Sequence, residues 1–184
     1  MIRIGRFSPL LAGLLAAGMH EKVNRDAQVL ADFSKRVADY VKLHQAARSE
    51  IHALKPTNSP ETIKHHEREP AHRIREARRG AAPGNIFTPA ISAEFRRLLA
   101  IATQGPEAER IRECLRHAEP LRTQPLEVNA GYPPGVPLQS TPPSLLANLP
   151  ELPKEVEYRI VGRDLVVLDV EASLIVDFTG NAIV

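Results

Sequence analysis

The chain of 184 residues has no tryptophan, one cysteine, three tyrosines and five phenylalanines. A single thiol excludes a disulfide framework, a thiolate zinc site and an iron–sulfur cluster. So few aromatics predict a light core. With 24 basic against 22 acidic residues, the chain lacks the excess charge of a polybasic nucleic-acid binder. Glycine-rich phosphate loops are missing, because Gly80 to Gly84 is too short and lacks the Lys-Ser/Thr of a P-loop. No Gly-x-Ser-x-Gly frames a serine nucleophile. What remains is an apolar content of 43%, enough to exclude disorder over the whole chain, and sixteen prolines. The length fits one domain, or one domain plus an extended arm.

Residues 1–18 read as a secretory signal peptide. Arg3 and Arg6 make a positive start, Leu10 to Gly18 a short apolar run, and Ala16 and Gly18 supply small residues before a cut after Gly18. The run falls far short of the roughly 20 residues needed to span a bilayer. No cysteine follows it to anchor lipid, and no Arg–Arg pair marks a twin-arginine route. Removing this segment takes away two arginines, so the +2 net charge becomes zero. No integral membrane segment is expected after its removal, and the protein is expected to be soluble in the periplasm or outside the cell. There Cys114 is expected to be either buried or a candidate for intermolecular pairing, and its neighbours Ile111 and Leu115 favour burial.

The remaining chain predicts an α+β fold in three parts: a helical region over 19–118, a proline-rich arm over 119–153, and an antiparallel hairpin or meander over 154–184. From Asp26 to Leu54, Leu30, Phe33, Val37, Tyr40, His44, Ala47, Ile51 and Leu54 recur at steps of three and four, making one stripe of a long helix. His44 is read as a hydrogen-bonded residue of that seam. Lys55–Pro56 is expected to stop the helix. Ser59–Pro60–Glu61 opens a second one, which predicts an antiparallel helical hairpin rather than a dimeric coiled coil. Ile63, His66, Pro70, Ile74 and Ala77 form its inward stripe, Pro70 predicts a kink or two shorter helices, and Gly80 the C-terminal cap. Thr88–Pro89 opens a third helix carrying Ile91, Phe95, Leu98, Leu99 and Ala102, and a fourth runs to about His117.

Nine of the sixteen prolines fall in 120–153. YPPGVPLQSTPPSLLANLPELP is therefore expected to be extended, without helix, and its leucines suggest an arm laid across the helices. Strands are expected at 156–161, 164–169 and 173–178, with Gly162–Arg163 as a two-residue turn. Such a small sheet needs the helices or a partner to cover its apolar face. From Glu151 onward there are seven acids against three bases, a net −4 that leaves +4 on 19–150.

Few residues suggest chemistry. His65, Glu69 and His72 are spaced i, i+4, i+7, which puts two imidazoles and a carboxylate on one helical face, a reasonable ligand set for zinc or nickel. His117–Ala118–Glu119–Pro120 matches half of a zinc-deaminase signature, but that site also needs two thiolates. Asp164, Asp169, Glu171 and Asp177 are read as solvated acids of the tail rather than a glycosidase pair. The stretch 61–80 has six bases against four acids and no aromatic to stack a base, so no nucleic acid is expected. No catalytic residue and no cofactor is identified, which points away from an enzyme.

The segment LANLPELPKEVEYRIVGRDLVVLDVEASLIVDFTGNAIV resembles the C-terminus of a family of uncharacterised exported bacterial proteins. In these, a proline-rich arm leads into a Tyr-Arg-x-Val-Gly-Arg-Asp-Leu hairpin ending in Leu-Ile-Val-Asp-Phe. FSKRVADYVKLHQ, GNIFTP at Gly84–Pro89 and VNAGYPPGVPL fit the same pattern. The resemblance implies export and a compact α+β module, and supplies no activity, ligand or catalytic residue. The expected function is a non-enzymatic interaction or envelope-structural module with an unknown protein partner or self-association. Weak transition-metal binding or buffering in the periplasm through His65, Glu69 and His72 is the alternative.

Overall fold

The computed structural model describes residues 24–117, 125–132 and 141–183. The signal-peptide segment 1–18 lies outside the described residues, as do 119–124 and 133–140 of the arm. Five helices precede three strands among the described residues: α1 (Arg25–Ser49), α2 (Pro60–Ala77), α3 (Pro89–Ala102), α4 (Ala108–His117), α5 (Pro143–Leu146), β1 (Val156–Val161), β2 (Asp164–Asp169) and β3 (Leu174–Thr179). The fold is α+β.

Each of the first three helices starts on a side-chain cap. Asn24 accepts from Asp26 N, Ser59 from Thr62 N and Thr88 from Ile91 N, and Pro60 and Pro89 occupy first-turn positions that need no donor. α1 buries Phe33, Val37, Tyr40, Val41, His44 and Ala47. It ends five residues before the expected Leu54. The Ser49 hydroxyl bonds Ala46 O at 2.7 Å, and Ile51 N reaches back only three residues to Arg48 O. Ile51 is then buried outside the helix, and Leu54 is exposed.

α2 is one helix, not two, and continues through Pro70. Pro70 is buried with Ala71 and Ile74, while Ile63 and Ala77 face out, contrary to the expected stripe. Past Pro70 the buried side runs through Ala71, Ile74 and Arg78 instead. Gly80, at φ +83°, ends the segment as a left-handed cap. α5 corrects the expectation of a helix-free arm. Its prolines occupy the N-cap, Pro142, and the first helical position, Pro143, where a missing N–H costs nothing.

The sheet has strand order β1-β2-β3, antiparallel throughout. Gly162, at φ +62°, makes the tight turn that pairs Val161 with Asp164. In the second hairpin Val167 opposes Asp177 and Leu168 opposes Ile175, so Val176 is an extra residue, a β-bulge. Helices cover one face. Phe33, Phe87, Phe95 and Tyr158 meet there, with Phe33 and Phe95 ring centroids 4.6 Å apart and Phe87 and Phe95 5.4 Å apart. Half the chain's few aromatics thus share one cluster, joined by Leu99, Ile160, Leu165, Leu174 and Leu145.

The other face, Val166, Leu168 and Ile175, carries Leu126 and Tyr132 from the arm. That segment also bonds to β3: Asn129 N donates to Ile175 O at 2.8 Å, Ile175 N to Ala130 O at 3.0 Å, and Tyr132 N to Ser173 O at 2.8 Å. Cys114 is partly exposed, not buried as expected. On α4 the inward position belongs to Ile111.

Candidate functional site

Two carboxylates expected to be solvated are fully buried: Asp169 and Asp177 have no exposed surface. Asp169 ends β2 in register with the inward Leu165 and Val167, so strand alternation drives it under α1. There the Tyr40 hydroxyl donates to its Oδ2 at 2.6 Å, and His44 Nδ1 pairs with the same oxygen at 2.6 Å. Ala172 N donates to Oδ1 at 2.7 Å, closing the β2–β3 turn. Beyond the ring, His44 Nε2 lies 3.4 Å from Glu171, which Arg48 holds at 2.7 Å. Tyr40 and His44 are four residues apart on α1, which is why one carboxylate can hold both. The Tyr40 phenol is raised well above the ordinary tyrosine range, first by burial and then by the Asp169 charge.

Asp177 clamps a loop. Its Oδ2 accepts from Ile86 N at 2.7 Å and Phe87 N at 2.9 Å, and its Oδ1 from Gly84 N at 3.1 Å. The Val176 bulge turns Asp177 inward and frees the Val176 carbonyl, to which Arg78 Nη2 donates at 2.9 Å. Arg78 also donates to Asn129 Oδ1 at 2.8 Å and lies over the Tyr40 ring, 5.0 Å from its centroid. Burial pulls the guanidinium below its ordinary value, against the charges of Tyr40, Asp177 and Asp169. His44 is therefore the hydrogen-bonded seam residue that the sequence indicates. A signal was present for Asp169, which closes the apolar strand LVVLD in step with Leu165 and Val167, whereas the bulge that turns Asp177 inward cannot be read from LIVDF.

Exposed polar groups of α2 border two clefts. A cleft of about 910 Å³ beside the α1 end is lined by Lys64, His65, Arg68, Glu69, His72 and Arg73 among others. The i, i+4, i+7 spacing thus brings His65, Glu69 and His72 to one cleft. Among the described residues, however, no three His, Cys, Asp or Glu side chains form a group that could hold a metal. Glu69 is drawn to Arg73 at 3.3 Å, and Arg73 also reaches Glu50 at 3.0 Å, tying α2 to the end of α1. A second cleft of about 530 Å³ lies on the other side of Arg68 and His72, against Tyr132 and Glu171. No helix among the described residues is long and apolar enough to cross a membrane.

No family model matches the chain, and no curated protein or solved structure matches it.

The tyrosines give a direct check. All three are shifted upward, Tyr40 and Tyr158 with burial as the first cause and Tyr132 likewise. The folded state holds neutral phenols, whereas the unfolded chain ionises near pH ~10. Stability is intact below that pH and falls as pH rises above it. Absorbance at 295 nm should therefore rise together with the loss of far-ultraviolet circular dichroism. Reversible ionisation of the tyrosines near pH ~10, with the dichroism unchanged, would contradict the burial of these groups.

Proposed function

We propose that the protein is an exported, non-enzymatic interaction module of the cell envelope, working through a protein partner or a second copy of itself. The observation that supports this reading best is the division of its polar groups. Asp169, Asp177, Tyr40, His44 and Arg78 are consumed by one another and by main chain inside the scaffold. Uncommitted charge lies outside, Arg68 and Arg75 of the α2 face among it, where a macromolecular surface can reach it. The positive, apolar, small-residue pattern of residues 1–18 supports export, as does the resemblance to exported bacterial proteins.

The test uses the full chain, tagged at its C-terminus and carrying a photo-crosslinking residue in place of the exposed Ile63, in cells of its source. The exported fraction should hold a chain lacking residues 1–18, with a crosslinked species of one reproducible mass. An unprocessed chain in the cytosol, or monomer mass alone after irradiation, would contradict the proposal.

Weak transition-metal binding in the periplasm is the second reading, favoured by His65, Glu69 and His72 sharing one cleft. Calorimetric titration with zinc and with nickel tests it. Binding should vanish in His65→Ala/His72→Ala, and heat unchanged by that pair of substitutions removes the reading.

A further inference from the structure

Building on the interaction reading, we propose that the cleft between α2 and the β2–β3 turn takes an acidic segment of a protein partner, with Arg68 and Arg75 receiving its carboxylates. Arg68, His72 and Arg75 follow one another at i, i+4, i+7 and line the same side of this cleft, above the small Ala71. Most exposed arginines among the described residues sit on an acid: Arg36 on Asp32, Arg73 on Glu50 and Glu69, Arg97 on Glu94. Arg68 and Arg75 have no carboxylate partner among the described residues. The acid on the opposite wall, Glu171, is already held by Arg48 at 2.7 Å and lies 3.4 Å from His44. Glu67 is the one acid lining the cleft without a partner among the described residues. Positive charge therefore exceeds negative among the uncommitted groups.

Arg75 is held in place for this task. Its Nε donates to Asn129 O at 2.9 Å, which leaves the terminal nitrogens of the fork for a ligand. Gly131 makes room for it, since a Cβ there would lie 3.3 Å from Arg75 Nη2. The ligand is a polypeptide segment rather than a small polyacid because Arg68 and His72 also line the neighbouring 910 Å³ cleft. The two clefts flank the same Arg68–His72 ridge of α2, so a segment crossing that ridge meets both.

Fluorescence anisotropy of a labelled hexaglutamate peptide, titrated with the full chain at low salt, tests the site. Saturable binding is expected, about tenfold weaker in Arg68→Gln, since a charge-assisted hydrogen bond is lost. Glu67→Gln should tighten it, and Arg110→Gln on α4 should leave it unchanged. Arg68 makes no ion pair or hydrogen bond among the described residues, so its substitution is expected to leave the fold intact. Absence of saturable binding, an equal loss in Arg110→Gln, or competition by tricarballylate as strong as by unlabelled peptide would overturn the proposal. A crosslinked partner that persists while Arg68→Gln changes nothing would keep the interaction reading and remove this cleft from it.

Discussion

One buried carboxylate determines how the helices sit on the sheet. Asp169 has no solvent, and a lone charge in that position would cost several kcal/mol. It is tolerable only because three donors converge on it: the Tyr40 hydroxyl, the His44 ring and the Ala172 amide. Two of these come from adjacent turns of α1 and the third from the β2–β3 turn. The carboxylate therefore sets the rotation and the height of α1 against the sheet. Slipping α1 by one turn would take at least one of its two donors off the carboxylate, a penalty that apolar packing alone does not impose.

Asp177 and Arg78 extend the same logic to the rest of the chain. A one-residue bulge at Val176 turns a strand acid onto the amides of the 84–87 loop and frees a carbonyl for the guanidinium at the end of α2. Asn129, at φ +66°, then joins that guanidinium to the arm. Helix, loop, arm and sheet are thus linked through polar groups that sit at the ends of apolar elements. Acids of the tail and bases of the preceding chain meet here, at Arg48–Glu171 and around Arg78. On α2, Arg68 and Arg75 remain available to anything external.

Much of this was legible in the sequence where local chemistry decides the outcome. Ser59–Pro60, Thr88–Pro89 and Gly80 marked helix ends, and Gly162–Arg163 marked the first hairpin, because caps and tight turns depend on neighbours in the chain. The Phe33–Val37–Tyr40–His44 stripe was readable for the same reason. Long-range consequences were not. Asp169 and Asp177 looked like tail acids, since nothing local shows that Tyr40, more than a hundred residues earlier, lies above one of them. The early end of α1 and the single turn of α5 depend on Ile51 and Leu145 finding space in the core, which periodicity cannot reveal. On α2, spacing placed His65, Glu69 and His72 together correctly, but Arg73 bridging Glu69 and Glu50 needed the neighbouring helix.

Urea unfolding of Asp169→Ala beside Glu171→Ala is the most direct measurement. Loss of Asp169 strands three buried donors and should lower stability by about 3–5 kcal/mol. Loss of Glu171, an exposed partner of Arg48, should cost less than about 1 kcal/mol. An Asp169→Ala protein as stable as the parent, or the reverse order of the two, would contradict the central place given to this carboxylate.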